Sequence, residues 1–226
     1  MDFDPAKVRA VLFDLDGTLA DTDDEYIRRV ARLIRPLRFL FPRRDPTAFL
    51  RWGLMTFESP LNTFMGIPDW LGIDDELIAF WNWLSDRHQR SHVGRFVLMA
   101  GVEALLERLS PRYPLGLVTA RSERSARDFL EQFGLGRCFR AVASAQTAPH
   151  TKPYPDPVRW AAQALGLSVE NCLMVGDTTV DVLAGKRAGA QTIGLLCGFG
   201  QRAELEHAGA NLILDHTTQL ADVLLK

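Results

Sequence analysis

The stretch Arg9-Ala10-Val11-Leu12-Phe13-Asp14-Leu15-Asp16-Gly17-Thr18 decides the fold. Its first part, RAVLFDL (9–15), is short and mostly apolar, and it runs into a polar, glycine-containing stretch. That pattern predicts a central strand buried on both faces. Similar runs recur downstream: LGLVT (115–119), CLMV (172–175), IGLL (193–196) and LIL (212–214). Between them lie helical patterns. Val102, Leu105, Leu106 and Leu109 recur at helical spacing. Residues 122–133 open on a serine cap and stop before Gly134, and residues 157–165 and 180–188 follow the same form. Strands alternating with helices imply a parallel sheet covered on both faces, joined by right-handed crossovers.

Residues 20–95 break this rhythm. They contain no clear buried strand, are rich in arginine, and hold Trp52, Trp70, Trp81 and Trp83. The expected organisation is an α/β core made of residues 1–19 and 96–226, with residues 20–95 as a mostly helical insertion. Ser91-His92-Val93-Gly94 reads as the return hinge. Arg28, Arg32 and Arg35 share one helical face in the insertion, either as a solvated basic stripe or as contacts for an anionic group on a substrate.

Composition narrows the function. The chain has 226 residues, a net charge of -2, and 26 basic against 28 acidic residues, so a general nucleic-acid binder is not expected. No apolar run approaches the roughly 20 residues that span a bilayer, and Met1-Asp2-Phe3-Asp4-Pro5 shows no signal-peptide pattern. The three cysteines, Cys138, Cys172 and Cys197, are widely spaced, which fits structural thiols in a reducing cytoplasm. The oligomeric state is left open.

Carboxylates collect at the ends of two predicted strands. Asp14 and Asp16 follow the first; Asp177 and Asp181 follow CLMV, in Gly176-Asp177-Thr178-Thr179-Val180-Asp181. Ligands bind at the carboxyl ends of strands in open parallel sheets. Aspartates also serve as turn and cap residues, and either pair alone reads equally well that way. Together they place several negative charges close to one another, which is costly without a cation. Hard oxygen donors in an incomplete shell suit Mg²⁺. Thr119, at the end of LGLVT and just before a helix, supplies a hydroxyl near backbone N–H groups, a ready phosphate cradle. Lys152, in the proline-stiffened loop Thr151-Lys152-Pro153-Tyr154-Pro155-Asp156-Pro157, offers an ammonium to Asp14 and to a bound phosphoryl group.

The segments DLDGTLADT (14–22), LVTAR (117–121), TKPYPDP (151–157) and GDTTVDVLAGKRAG (176–189) resemble, in order and spacing, the four motifs of the haloacid dehalogenase superfamily. The chain looks like the phosphoglycolate-phosphatase-like branch, which its ending around Gly198-Phe199-Gly200 also resembles. The match covers the core, about two-thirds of the chain, and not the insertion. It implies a Rossmann-like parallel-sheet core with an inserted, mostly helical cap. It also implies a phosphatase for a small phosphorylated metabolite, phosphoglycolate first among them. By this resemblance Asp14 is the nucleophile and Asp16 the general acid and base. Asp14, the Asp16 carbonyl, Asp177 and Asp181 surround Mg²⁺, and Thr119 and Lys152 bind phosphate oxygens. Ala120 stands where Asn or Gly is common, leaving its backbone N–H for the phosphate. Arg121, where some relatives have lysine, is a candidate substrate contact. A phosphomutase acting on a sugar phosphate and a non-catalytic binding protein on the same scaffold are the alternative readings. The carboxylate at position 16 argues for a phosphatase or mutase over a dehalogenase.

Overall fold

The computed structural model describes residues 3–21 and 96–225. The chain divides into two compact units, Met1–Asp23 with Phe96–Lys226 and, separately, Asp24–Arg95. The expectations for residues 22–95, including the basic face, the tryptophans and the return hinge, fall outside the described residues.

The first unit is an α/β fold on a parallel sheet. Its strands are β1 (Ala10–Phe13), β2 (Leu115–Val118), β3 (Phe139–Ala143), β4 (Cys172–Gly176), β5 (Gln191–Leu195) and β6 (Leu212–Leu214). They are hydrogen-bonded in the order β3-β2-β1-β4-β5-β6, every neighbouring pair parallel. The helices are α1 (Val102–Leu109), α2 (Glu123–Gln132), α3 (Asp156–Ala164), α4 (Thr179–Ala188), α5 (Arg202–Ala208) and α6 (Leu220–Leu224).

Alternation along each strand sends side chains to two cores. Val11 and Phe13 of β1 join Leu115, Leu117, Leu173 and Val175 under α1, α2 and α6, through Leu106, Phe129 and Leu220. Ala10 and Leu12 face the other way, with Val118 and Met174, against Val158 and Ala161 of α3 and Ala184 of α4. All four residues of β1 are fully buried, as expected for a central strand with helices on both sides. Each fully buried Leu or Phe contributes about 1.5–3 kcal/mol of apolar burial.

Sequence and structure differ at the edges. β3 was not anticipated, because FRAVA carries an exposed arginine and alternates in burial as an edge strand does. α5 has one fully buried residue, Leu205, and so little apolar signal. All three cysteines are free thiols, with Cys138 and Cys172 buried. Among the described residues no helix is long and apolar enough to cross a membrane.

The strand order reverses direction at β1. The chain passes from β1 to β2 and β3 on one side, then returns to β4, β5 and β6 on the other. The crevice beyond the carboxyl ends of β1 and β4 is therefore the topological switch point, where such sheets bind ligands.

Candidate active site

Asp14 is the first residue past β1. Its N–H still donates to the Val175 carbonyl of β4 at 2.9 Å, so its backbone is held by the ladder. Asp177 is the first residue past β4, and Asp181 lies in the first turn of α4. Oxygens of Asp14, Asp177 and Asp181 lie within 4.8 Å of one another, and all three side chains are buried.

Lys152 bridges two of them. Its Nζ donates to Asp14 Oδ1 and to Asp181 Oδ1, each at 2.6 Å, and its side chain is 5% exposed. Among the described residues, three buried carboxylates thus have one buried ammonium beside them, bonded to two of the three. Fully ionised, the cluster would hold two more negative than positive charges. Burial pushes the Asp14 carboxyl up to about 7, with Asp181 and Asp16 adding to the effect, against the pull of Lys152. Asp177 is raised well above the ordinary carboxylate range, first by burial and then by Asp181 and Asp14. Burial disfavours the Lys152 ammonium, but Asp14 and Asp181 outweigh it and hold it above its ordinary value.

The chain is shaped around these acids. The Phe199 N–H donates to Asp177 Oδ2 at 2.8 Å and the Thr18 hydroxyl to Asp177 Oδ1 at 3.3 Å. The Thr217 hydroxyl in turn donates to the Thr18 carbonyl at 2.7 Å. Gly17 has φ +68°, and a Cβ there would overlap the Asp177 carboxylate; a Cβ at Gly198 would do the same. Both positions require glycine for close approach. Asp181 Oδ2 accepts from the Thr178 N–H at 3.0 Å and the Thr178 hydroxyl at 2.7 Å, which closes the N-terminus of α4.

Asp16 goes elsewhere. It lies past the strand in the turn closed by Gly17 N–H to the Ala20 carbonyl, and its carboxylate is gripped by Arg121. Arg121 Nε donates to both Asp16 oxygens, at 2.7 and 3.0 Å, and Nη2 donates to Oδ1 at 2.7 Å. Thr119 is buried at the end of β2, with its N–H on the Ala143 carbonyl and its Oγ1 accepting from the Arg121 N–H at 3.1 Å. Ala120 is exposed. His150 stacks on Tyr154 at 4.7 Å and lies 3.5 Å from Asp156 in the loop preceding α3.

The structure therefore joins Asp14, Lys152, Asp177 and Asp181 in one buried cluster, and Asp16 with Arg121 in a second, more open pair. Sequence reasoning assigns no role of their own to Thr18, Thr217 or Phe199. The glycine pair around Phe199 was a usable signal for close backbone approach; Thr217 had none. The donor set of the cluster is all carboxylate, and its excess charge and oxygen spacing suit a divalent cation.

This arrangement agrees with the comparisons to known proteins. The family model for haloacid dehalogenase-like hydrolase matches residues 11–195. The pyrophosphatase PpaX of Bacillus velezensis is 34% identical over 191 residues, covering 84% of this chain and 83% of that protein. PpaX of Bacillus cereus is 29% identical over 220 residues, covering 96% of this chain and 97% of that one. The crystal structure of a predicted phosphatase from Clostridium acetobutylicum superposes with a TM-score of 0.70 at 25% identity, over 96% of this chain and 98% of the other. With its family motifs falling on the acid cluster at the switch point, this chain belongs to the haloacid dehalogenase-like hydrolases.

Proposed function

We propose that this chain is a Mg²⁺-dependent phosphatase that transfers a phosphoryl group first to Asp14 and then to water. The observation that carries this reading is the Asp14 carboxylate, buried beside Asp177 and Asp181 and bonded to Lys152. A carboxylate so placed is a poor solvent-facing acid but a well-oriented nucleophile.

In the first step an Asp14 oxygen forms a bond to phosphorus while the bond to the leaving oxygen breaks. Asp16 delivers its proton to that oxygen. In the second step Asp16, now a carboxylate, takes a proton from water, whose oxygen attacks the aspartyl-phosphate and frees Asp14. Lys152, the Thr119 hydroxyl and the Ala120 N–H hold the phosphoryl oxygens. Asp14, Asp177, Asp181 and the Asp16 carbonyl would hold Mg²⁺. When bound, that ion supplies positive charge that screens the nucleophile from the anionic phosphate.

The substrate is a small phosphorylated metabolite. The superfamily branch suggests phosphoglycolate; the relatives named pyrophosphatase favour pyrophosphate as a second reading. Both carry a second anionic group. The test is a panel of pyrophosphate, phosphoglycolate and sugar phosphates with Mg²⁺, reading free phosphate and sugar isomers. Free phosphate from a member of the panel is the expected result. An isomerised sugar phosphate without net hydrolysis would make the protein a mutase, and no turnover of any member would overturn the catalytic reading.

A further inference from the structure

The Arg121 guanidinium is supported on several sides. Asp16 takes Nε and Nη2, and Nη1 donates to Ser125 Oγ at 3.2 Å. Its Cζ lies over the Phe96 ring, 5.0 Å from the centroid, within cation–π range. Phe96 is fixed in turn. Its ring stands edge-on to Phe129 at 5.4 Å, and its backbone N–H and carbonyl pair with the Gln132 side-chain amide at 3.1 and 2.8 Å. The Arg121 side chain is still 32% exposed. The remaining N–H groups on Nη1 and Nη2 meet no partner among the described residues. A planar fork held still, with an open edge, is prepared to take a further anionic oxygen.

Its place in the site indicates which one. Lys152 is bonded to Asp14 and Asp181, on the side of the phosphoryl group that is transferred. Arg121 is bonded to Asp16, the acid that protonates the leaving oxygen. Whatever is attached to that oxygen must therefore lie near Arg121. We propose that Arg121 determines specificity for the leaving group by binding a second anionic group carried on it, a phosphoryl or carboxylate within a few bonds of the bridging oxygen. This rests on the phosphatase reading and narrows its substrates to phosphoesters or phosphoanhydrides whose leaving group is itself an anion. Phe96 and Ser125 are positioning residues for the fork.

The experiment compares kcat/KM on three substrates with Mg²⁺: pyrophosphate, phosphoglycolate and ethyl phosphate, an alkyl ester that needs the acid as phosphoglycolate does but whose leaving group has no second anion. Arg121→Gln should lower the ratio of the preferred anionic substrate to ethyl phosphate by about ten- to hundredfold, the worth of a charge-assisted hydrogen bond, chiefly through KM. Arg121→Lys keeps the charge but loses the fork, and should lose part of that ratio. Phe96→Leu should shift it in the same direction by less. Pyrophosphate and phosphoglycolate separate the phosphoryl from the carboxylate form of the ligand. Thermal melts establish that each variant is folded; if Arg121→Gln is not, the other two variants decide. A ratio unchanged in the folded variants, whether every substrate loses activity equally or none does, would overturn the assignment while leaving the phosphatase reading intact. A wild-type protein that releases phosphate from none of the three would remove both.

Discussion

Asp14 and Asp16 are two positions apart, yet the structure sets them in opposite electrical situations. Asp14 is 6% exposed and belongs to a cluster with Asp177 and Asp181 in which, among the described residues, Lys152 is the one cation. Asp16 has 31% of its side chain exposed and a guanidinium to itself. The cause is local. Asp14 is still tied to β4 through its N–H, whereas Asp16 lies beyond the ladder in a turn. The difference separates the work of the two acids. A buried, charge-unbalanced group is prepared to meet a cation and an electrophile. An open, charge-balanced group is accessible to water and to a leaving oxygen.

The sharpest way to break that comparison is Asp14→Asn. The amide keeps the volume and removes the attacking oxygen anion, so turnover should fall by at least about a thousandfold. Steady-state phosphate release measures it, and activity within tenfold of the parent would refute Asp14 as nucleophile.

Lys152→Met probes the charge imbalance itself. It leaves Asp14 and Asp181 buried with no ammonium between them, and breaking such a buried pair costs about 3–5 kcal/mol. Urea unfolding in EDTA should show a loss of that order. Saturating Mg²⁺ should recover part of it, because a cation binding only the folded state stabilises that state. Unchanged stability in EDTA would mean that the cluster is far less strained electrostatically than its burial indicates.

The third test is pH. The Asp14 carboxyl is raised in the folded protein from an ordinary value of 3.8 to about 7, first by burial. A raised folded value favours the folded state fully below the unfolded value. That contribution is lost as pH rises through the interval up to about 7. Over the same interval the proton leaves the oxygen that a cation needs, so metal affinity rises. The stabilisation that Mg²⁺ adds to the melting temperature, relative to EDTA, should therefore grow between pH 5.5 and 8, and grow less in Asp14→Asn. An equal increment at both pH values in the parent would show that Asp14 is not a proton-competing ligand.

The buried half of this comparison is legible in the sequence; in the open half the two residues are, but their pairing is not. β1 announces itself as an apolar run because helices cover both faces. Asp14 and Asp177 stand just past strand ends, Asp181 in the helix turn that follows and Lys152 in the loop before α3, so their residue types and places predict a charged site there. The Arg121–Asp16 pair joins residues 105 positions apart, and Thr217 reaches Thr18 across 199. Such contacts depend on which way side chains turn once the sheet exists, and no spacing rule encodes them. Phe96 carries no chemical signal, and its role under Arg121 follows only from the packing around Phe129 and Gln132. β3 was missed because an edge strand needs only one apolar face.

The smallest effect is expected where charge is already balanced. Asp16→Asn removes one partner of a pair whose side chains are 31% and 32% exposed, so water replaces the lost contact, and stability should change by no more than about 1 kcal/mol. Urea unfolding should therefore place this variant near the parent and well apart from Lys152→Met. Chemistry is where Asp16→Asn should show, and unevenly. Asparagine cannot deliver a proton, so the first step should slow most for a substrate whose leaving oxygen is a strong base, by the roughly 10²–10⁴-fold that general acids supply. An aryl phosphate leaves as a stabilised phenolate and needs less protonation, so its first-step defect should be much smaller. Water activation in the second step suffers for both, so single-turnover release of the leaving group, not steady-state phosphate, is the proper readout. Equal first-step losses for aryl and alkyl phosphates would remove Asp16 from the acid role. A stability loss as large as that of Lys152→Met would mean that the open pair is a structural brace, and the division between the two acids would collapse.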